Sequence, residues 1–325
     1  MSDGSLLADA IRPFWLAGLN DVSGHCRKEL RGWISDGQFQ VYEQPSENSF
    51  NLNVSEAGPV LEAFAAEISR ITVASSETMK SVAGDPPVKK SIAWLIIQTY
   101  YAAFFAAHAF MRTLGTSCIP LEPNQIRMVT KIAQLFGQEP VRPISGGLYQ
   151  ISFDPESRVV AATQLKSMKA GPHEAFWKLF GDRLGIISSE LLTLSSVTLK
   201  SAQQSSLKLA EIRANLSFSN FSSGGWLSHI RNRVNYDQSW GTWYPYSLRH
   251  RYYDELARHI DDWQLDPLDI DVSSHDNRDL LRFQATCNAI IALSRCTSVD
   301  MSERCSGKSF HEFASLAFLR LYGKA

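Results

Sequence analysis

Cysteine is scarce in this chain and is not arranged to bind metal. The five cysteines among 325 residues include no Cys-x-x-Cys pair and form no cluster with histidine at zinc-finger spacing. Their odd number and scattered positions favour free thiols in a reducing compartment over a disulfide framework. The sequence therefore predicts neither a metal site nor a bound cofactor.

Excess charge and an N-terminal signal are also lacking. The formal net charge is -1 at pH 7, so a nucleic acid or an anionic lipid would meet only local basic patches. The first residues contain no basic stretch followed by an apolar run, so no secretory signal is predicted. We expect a cytoplasmic protein, and its 44% apolar residues allow a large core.

Strand patterns are few, and helical patterns dominate. Tyr149, Ile151 and Phe153 alternate before a turn at residues 154–157, which predicts a β-hairpin, and residues 38–42 give a weaker strand pattern. Helical spacing covers most other segments: 6–19, 22–33, 60–83, 92–115, 121–136, 171–180, 186–216, 226–236, 247–259, 278–295 and 309–322. Residues 261–271 are predicted to form an acidic linker.

The predicted fold is therefore mainly α. An up-and-down helical bundle is expected over residues 55–265, with a β-hairpin insertion at about 146–164. Residues 1–54 would form an N-terminal helical extension, and residues 266–325 a C-terminal one.

Residues 92–111 carry no formal charge, which raises the question of a membrane span. Polar residues interrupt this run, and no second span exists to shield them, so a helix at the centre of a bundle is the favoured interpretation. Its polar members recur at steps of three and four and form one stripe: Gln98, Tyr101, Phe105, His108 and Arg112. These groups would either satisfy one another in the core or line a groove.

The segment with the most candidate catalytic and binding side chains is 226–240. Ile230 and Val234 give it an apolar helical side, and a helix would place His229, Asn232, Arg233 and Tyr236 on one face. Arg231 and Asn235 would lie on another face. The competing interpretation is a solvated helix face with one core tyrosine.

A basic, aromatic region follows this segment. Between residues 226 and 259 there are five arginines against three acids, interleaved with stacking rings. This mixture suits single-stranded nucleic acid, and the candidate RNA-binding residues are Arg249, Arg251, Trp243 and Tyr244. Alternatively, the rings form a loop core and the arginines pair with nearby acids.

Two segments resemble the HEPN-domain superfamily. Residues 94–115, with Tyr-Tyr-Ala-Ala-Phe-Phe followed by an alanine-rich turn and a glycine, are similar to the first helix of that bundle. Residues 231–236, Arg-Asn-Arg-Val-Asn-Tyr, resemble its later signature, which in ribonuclease members is Arg, four to six residues, then His. The match is to a variant of that signature which ends in Tyr. The two segments together cover about 40 residues of the chain.

The resemblance implies a four-to-five-helix bundle that forms a homodimer with the two motif helices facing one another. Active members cut RNA without a metal ion, and many act in toxin-antitoxin systems or anti-phage defence. It further implies that Arg231 binds the scissile phosphate, that Asn232 assists it, and that Tyr236 takes the place of the histidine. The pKa of a free tyrosine is ~10 and that of a free histidine ~6.5, so tyrosine is almost fully protonated at neutral pH and is a poor base there.

Two hypotheses from different classes remain open. The first is an RNA-cleaving effector of a bacterial defence or toxin-antitoxin system, acting with a partner protein of that system. The second is a HEPN-like module without catalysis that binds RNA or a nucleotide or docks a protein. The accessory candidates for the first hypothesis are His229, Arg233, His108 and Tyr101.

Overall fold

The computed structural model describes residues 5–24, 26–83, 92–166, 171–221, 224–237, 240, 242–243, 250–273 and 278–305, with only the backbone of residues 83 and 250–253. Most of the described residues are helical, which confirms the mainly α fold class. In this part of the chain the helices are α1 (Leu6–Ile11), α2 (Leu30–Asp36), α3 (Gly58–Ala83), α4 (Ile92–Thr113), α5 (Pro123–Leu135), α6 (Pro172–Leu191), α7 (Leu199–Leu216), α8 (Trp226–Tyr236), α9 (His250–Arg258) and α10 (Asp279–Glu303). The strands are β1 (Ser49–Asn53), β2 (Thr116–Leu121), β3 (Gly147–Asp154) and β4 (Val159–Gln164). The helix predicted at 309–322 lies outside the described residues.

The uncharged segment forms α4, at the centre of the helical part of the protein. Sixteen of its 22 residues are buried, and it packs against α3, α8 and α10. By length and composition α4 is able to cross a membrane, but 67% of its most apolar window is buried inside the protein. The predicted position at the bundle centre is confirmed.

The N-terminal helices are shorter than predicted. Instead of helices over 6–19 and 22–33, the chain forms α1, two single 3₁₀ turns (Arg12–Phe14 and Leu19–Asp21) and α2. Pro13 lacks the N–H that an α-helix would use, so α1 ends just before it. Gly18 adopts a φ of 81°, in the left-handed region, which reverses the chain between the two turns.

The strands form one antiparallel sheet in the order β1-β4-β3-β2. The predicted hairpin β3-β4 is confirmed, but it is the middle of a sheet and not a lone insertion. The strand predicted at 38–42 is wrong: Gln40 makes a single bridge to Asn53, and the strand is β1, where Phe50 and Leu52 alternate with polar residues. The sequence prediction also missed β2, whose Pro120 is tolerated because β2 is at the sheet edge.

The helices that flank the hairpin follow their predicted starts. α5 begins at Pro123, and the side chains of Glu122 and Gln125 cap its first turn reciprocally. α6 and α7 replace the single helical pattern predicted over 186–216, because the chain leaves the helix after Leu191 and Thr198 caps a new one.

Buried apolar residues form two clusters. One surrounds α4, α6, α7, α8 and α10, and the other lies between the sheet and helices α2, α3 and α5. A buried ion pair joins α3 to α4: Arg112 Nε donates to Glu67 Oε2 at 2.5 Å, and the two side chains are 4% and 8% exposed. The other oxygen of Glu67 accepts the backbone N–H of Leu30 at 2.9 Å, so the pair also anchors α2.

The predicted acidic linker is packed and not a free connection. Trp263, Ile270 and Val272 are buried, and residues 262–264 and 267–269 form short 3₁₀ turns. Polar side chains of α10 hold the backbone just before this segment, since Gln284 donates to the carbonyl of Leu256 and Asn288 to that of His259. These contacts satisfy backbone groups that regular structure leaves unpaired.

Asn215 of α7 is the centre of a second buried polar network. Its Nδ2 donates to the carbonyl of Val272 at 2.7 Å and to Thr286 Oγ1 at 3.1 Å, and its Oδ1 accepts from Arg282 Nη1 at 2.9 Å. The network therefore joins α7, α10 and the segment that precedes α10.

Candidate functional site

The motif segment forms α8 as predicted. Trp226, Leu227, Ile230 and Val234 are buried, and this apolar side holds the helix against α4. The helix ends at Tyr236, because Asp237 has a non-helical backbone. The functional side chains therefore project from a packed helix.

Arg231 and Tyr236 lie on different sides of α8. The Cζ atom of Arg231 is 5.3 Å from the ring centre of Tyr100 and 6.0 Å from that of Tyr101, so its half-buried guanidinium rests on α4. The Tyr236 side chain is 78% exposed. Residues five apart on a helix are separated by about 140°, which accounts for the split. Within one chain the structure does not bring these two motif residues together.

Two other predicted residues of α8, Arg233 and His229, make their contacts away from Arg231 and Tyr100. Arg233 is over the ring of Trp240 at 4.1 Å and pairs with Asp237 at 3.9 Å. His229 packs against Phe221, with the ring centres 4.6 Å apart. Burial and the charge of Arg233 lower the pKa of His229, and Asp279 opposes them. Asn232 is half-buried.

The polar stripe of α4 is present, and its members have two different roles. Gln98, Tyr101, Phe105 and His108 are half-buried, whereas Arg112 is buried in the ion pair with α3. Tyr101 belongs to the Arg231 site. His108 stacks on Phe176 at 3.6 Å between ring centres, and its Nδ1 accepts from Arg112 at 3.1 Å because a guanidinium only donates. Burial, Arg112 and His173 hold the pKa of His108 well below its usual value.

The hydroxyl of Tyr100 is the centre of the site, and the sequence prediction missed it. It accepts from Trp177 Nε1 at 3.0 Å and lies 2.9 Å from His173 Nδ1 and 3.2 Å from Ser228 Oγ. These partners come from α6 and α8, so three helices meet at one oxygen atom. Pro172 at the first position of α6 was the available signal, since it fixes the helix start that presents His173.

The electrostatics of the site keep both titratable rings neutral near pH 7. Burial raises the pKa of Tyr100, although its bonds to Ser228 and Trp177 and the charge of Arg231 oppose this. Burial and the charge of Arg231 lower the pKa of His173 to about 4. A neutral imidazole therefore lies beside a permanent cation.

The predicted RNA-binding residues are described only in part. Trp243 packs edge-on against Trp94 with ring centres 5.6 Å apart, and its Nε1 donates to the carbonyl of Val234 at 2.7 Å. Trp94 is 54% exposed, so an aromatic surface lies beside the end of α8. Arg249 and Tyr244 lie outside the described residues, as does the side chain of Arg251.

No protein-family model matches this chain, and no curated protein and no solved structure matches it. None of the five cysteines, all of which lie among the described residues, forms a disulfide bond. Among the described residues no group of three or more His, Cys, Asp or Glu side chains is placed to hold a metal ion. The interpretation of the site therefore depends on the geometry of α4, α6 and α8.

The glycine before α8 controls how that helix meets α6. Gly224 has a φ of 74°, and a Cβ there would lie 3.1 Å from the carbonyl oxygen of Trp177 and 3.3 Å from the backbone of Lys178. We expect Gly224→Ala to lower the free energy of unfolding by about 1–3 kcal/mol, because both the backbone angle and the contact are strained. Urea denaturation followed by circular dichroism measures this loss.

Gly225→Ala is the matched control. Gly225 has an ordinary φ of -82°, and its added Cβ would meet only the side chain of Glu174, which is able to rotate. We expect a smaller loss than for Gly224→Ala. Equal losses for the two variants would contradict the proposed role of the Gly224 backbone.

Proposed function

We propose that this protein is a HEPN-like, metal-independent RNA-cleaving effector of a bacterial anti-phage defence or toxin-antitoxin system. The observation that carries the proposal is the position of Arg231, which is held half-buried on Tyr100 and Tyr101 beside a neutral His173. A fixed cation next to a group that exchanges protons is what phosphodiester cleavage requires. The proposal includes a cytoplasmic location and a partner protein of the same system.

Arg231 would hold the scissile phosphate. A guanidinium presents several N–H donors in one plane and grips two phosphate oxygens at once. Contact with the rings of Tyr100 and Tyr101 holds the guanidinium in place, and no carboxylate among the described residues pairs with it. Its Nε has no hydrogen-bond partner in the described part of the chain. Asn232, the next residue, would assist by hydrogen bonding to the substrate.

Tyr236 would reach the substrate from a second copy of the chain. In one chain it is 78% exposed, and the helical period places it about 140° around α8 from Arg231, so a site that uses both residues needs two protomers. In a symmetric dimer with α8 near the two-fold axis, each protomer contributes Arg231 to one site and Tyr236 to the other. The exposed Trp94, against which the half-buried Trp243 packs edge-on, would stack on a base beside this site.

The second candidate function is a HEPN-like module without catalysis that binds RNA or a nucleotide or docks a protein. The separation of Arg231 from Tyr236 favours it, because the motif is not assembled within one chain. Such a module would keep phosphate binding at Arg231 and lack turnover.

The test is cleavage of a fluorescein-labelled single-stranded RNA by the purified protein in the presence of a chelator. We expect Arg231→Ala and Arg231→Lys to lower the rate strongly, because lysine keeps the charge and loses the planar fork. Tyr236→Phe removes only a hydroxyl, so a role in proton transfer predicts a loss of about 10²-fold or more. Lys178→Ala, at an exposed position with an ordinary surface ion pair, is the control that should leave the rate unchanged.

Mixing two inactive variants tests the shared site. If Arg231→Ala and Tyr236→Phe subunits exchange into mixed dimers, half of the sites in those dimers are intact, so about a quarter of the wild-type rate should return. A rate that stays at the level of the separate variants argues against Tyr236 acting in trans. Binding of RNA by the wild type without any cleavage would favour the second candidate function.

A further inference from the structure

His173 lies beside Arg231 although it comes from α6. It is half-buried, and its ring centre is 5.8 Å from that of Tyr100 and 6.2 Å from that of Tyr101, the two rings on which Arg231 rests. We propose that His173 is the proton acceptor of the Arg231 site, taking the proton of the ribose 2′-hydroxyl while Arg231 holds the adjacent phosphate. This inference rests on the proposed function.

The step balances without a cofactor or an oxidant. The 2′-hydroxyl gives its proton to His173 Nε2, a bond forms between O2′ and phosphorus, and the bond from phosphorus to O5′ breaks. The O5′ atom takes a proton from Tyr236 of a second copy of the chain, and the imidazolium later returns its proton, through water, to the tyrosinate. The products are a 2′,3′-cyclic phosphate and a free 5′-hydroxyl, and phosphorus is neither oxidised nor reduced.

Tyr100 is the positioning residue for His173. Its oxygen accepts from Trp177 Nε1 and lies within hydrogen-bond distance of His173 Nδ1 and Ser228 Oγ. In the proposed step His173 has the tautomer in which Nδ1 donates to Tyr100, whose own proton then goes to Ser228 Oγ. This arrangement leaves the lone pair on His173 Nε2. It also persists when the ring is protonated, because Nδ1 donates in both states, so proton transfer requires no rearrangement around Tyr100.

Several charged and titratable groups face His173. Tyr100, Tyr101 and His108 face it from α4, Arg231 from α8, and Glu174 is next to it on α6. The charge of Arg231 disfavours the imidazolium in the free protein. A phosphate bound to Arg231 neutralises this charge, so substrate binding should raise the pKa of His173 from about 4 and make it a better acceptor when it is needed.

The first test follows the His173 ring by NMR in the wild-type protein. Its pKa is measured alone and with saturating uridine 3′-monophosphate, and His173→Gln identifies the resonance. The lowered pKa in the free protein means that His173 is neutral above about pH 5. We expect the nucleotide to move the titration to higher pH and to cause proton uptake on binding below about pH 6. A titration that does not move overturns the coupling to Arg231.

The second test is the rate of RNA cleavage by His173→Gln. We expect kcat to fall by about 10²-fold or more with little change in KM, because glutamine keeps a polar side chain and cannot exchange protons. Tyr100→Phe should lower kcat less and shift the acid limb of the pH profile, which a purely structural role would not do. His259→Gln is the matched control, since His259 is exposed at the end of α9 and pairs with Asp262.

The outcomes separate this inference from the proposed function. If the wild type cleaves RNA, Arg231→Ala is inactive and His173→Gln is as fast as the wild type, the inference is wrong and the function stands. If the wild type does not cleave RNA, the proposed function fails and the inference fails with it. Circular dichroism of each variant shows whether a lost rate reflects an unfolded protein, and the NMR titration of the wild type then decides.

Discussion

Glu67→Ala should lower the free energy of unfolding by about 3–5 kcal/mol, because it leaves the charge of Arg112 buried without its carboxylate. The Arg112 side chain is only 4% exposed, so water cannot readily replace the lost partner. The substitution also removes the acceptor of the Leu30 N–H, which ties α2 to α3. Urea denaturation followed by tryptophan fluorescence measures the change, since Trp33 is buried on α2.

A paired replacement shows whether charge or packing explains the loss. Glu67→Leu combined with Arg112→Met removes both charges and keeps apolar volume, so it should recover much of the stability lost by Glu67→Ala. Asp182→Ala is the surface control: its partner Lys178 is exposed, and such pairs are worth at most about 1 kcal/mol. A loss below about 1 kcal/mol for Glu67→Ala would show that the pair contributes no more than a surface pair.

Asn215→Leu should lower the free energy of unfolding by about 3 kcal/mol or more, because three buried hydrogen bonds disappear and one of them is to a guanidinium. The variant leaves the Val272 carbonyl and Thr286 without the amide donor and removes an acceptor from Arg282. Because these partners join α7 to α10, we also expect faster amide hydrogen exchange in the segment before α10. Thermal denaturation and hydrogen exchange with mass spectrometry measure the two effects.

Gln204→Leu on the same helix provides the control for Asn215→Leu. Gln204 is exposed, so exchanging it for leucine should change stability by less than about 0.5 kcal/mol. If both leucine variants were equally stable, the buried network around Asn215 would contribute nothing beyond its volume.

The helical part of the fold was accessible from the sequence because its signals are local. The uncharged run of α4, the proline and cap at the start of α5, and the apolar side of α8 each specify a helix from residues within or next to that helix. The sheet was less accessible. β1 and β2 are short, and each becomes a strand only by pairing with β4 or β3, far away in the sequence.

The site was accessible from the sequence only in part, for the same reason. The helical period separates Arg231 from Tyr236, so spacing alone indicated that one chain would not join them. No spacing brings His173 to Tyr100, because they are 73 residues apart and meet only through the packing of α6 on α4. Buried polar contacts of this kind depend on tertiary structure and leave no periodic trace in a sequence.

The pairing of β1 with β4 has a consequence during synthesis. Ser49 aligns with Thr163 and Asn53 with Val159, so β1 leaves the ribosome well before its partner exists. At ~5–20 residues per second, the intervening chain takes roughly 5–20 s to make. Over that interval Phe50 and Leu52 have no sheet to cover them. The nascent N-terminal segment should therefore bind chaperones until the hairpin emerges. On a ribosome stalled before residue 159, the N-terminal segment of the nascent chain should be sensitive to protease.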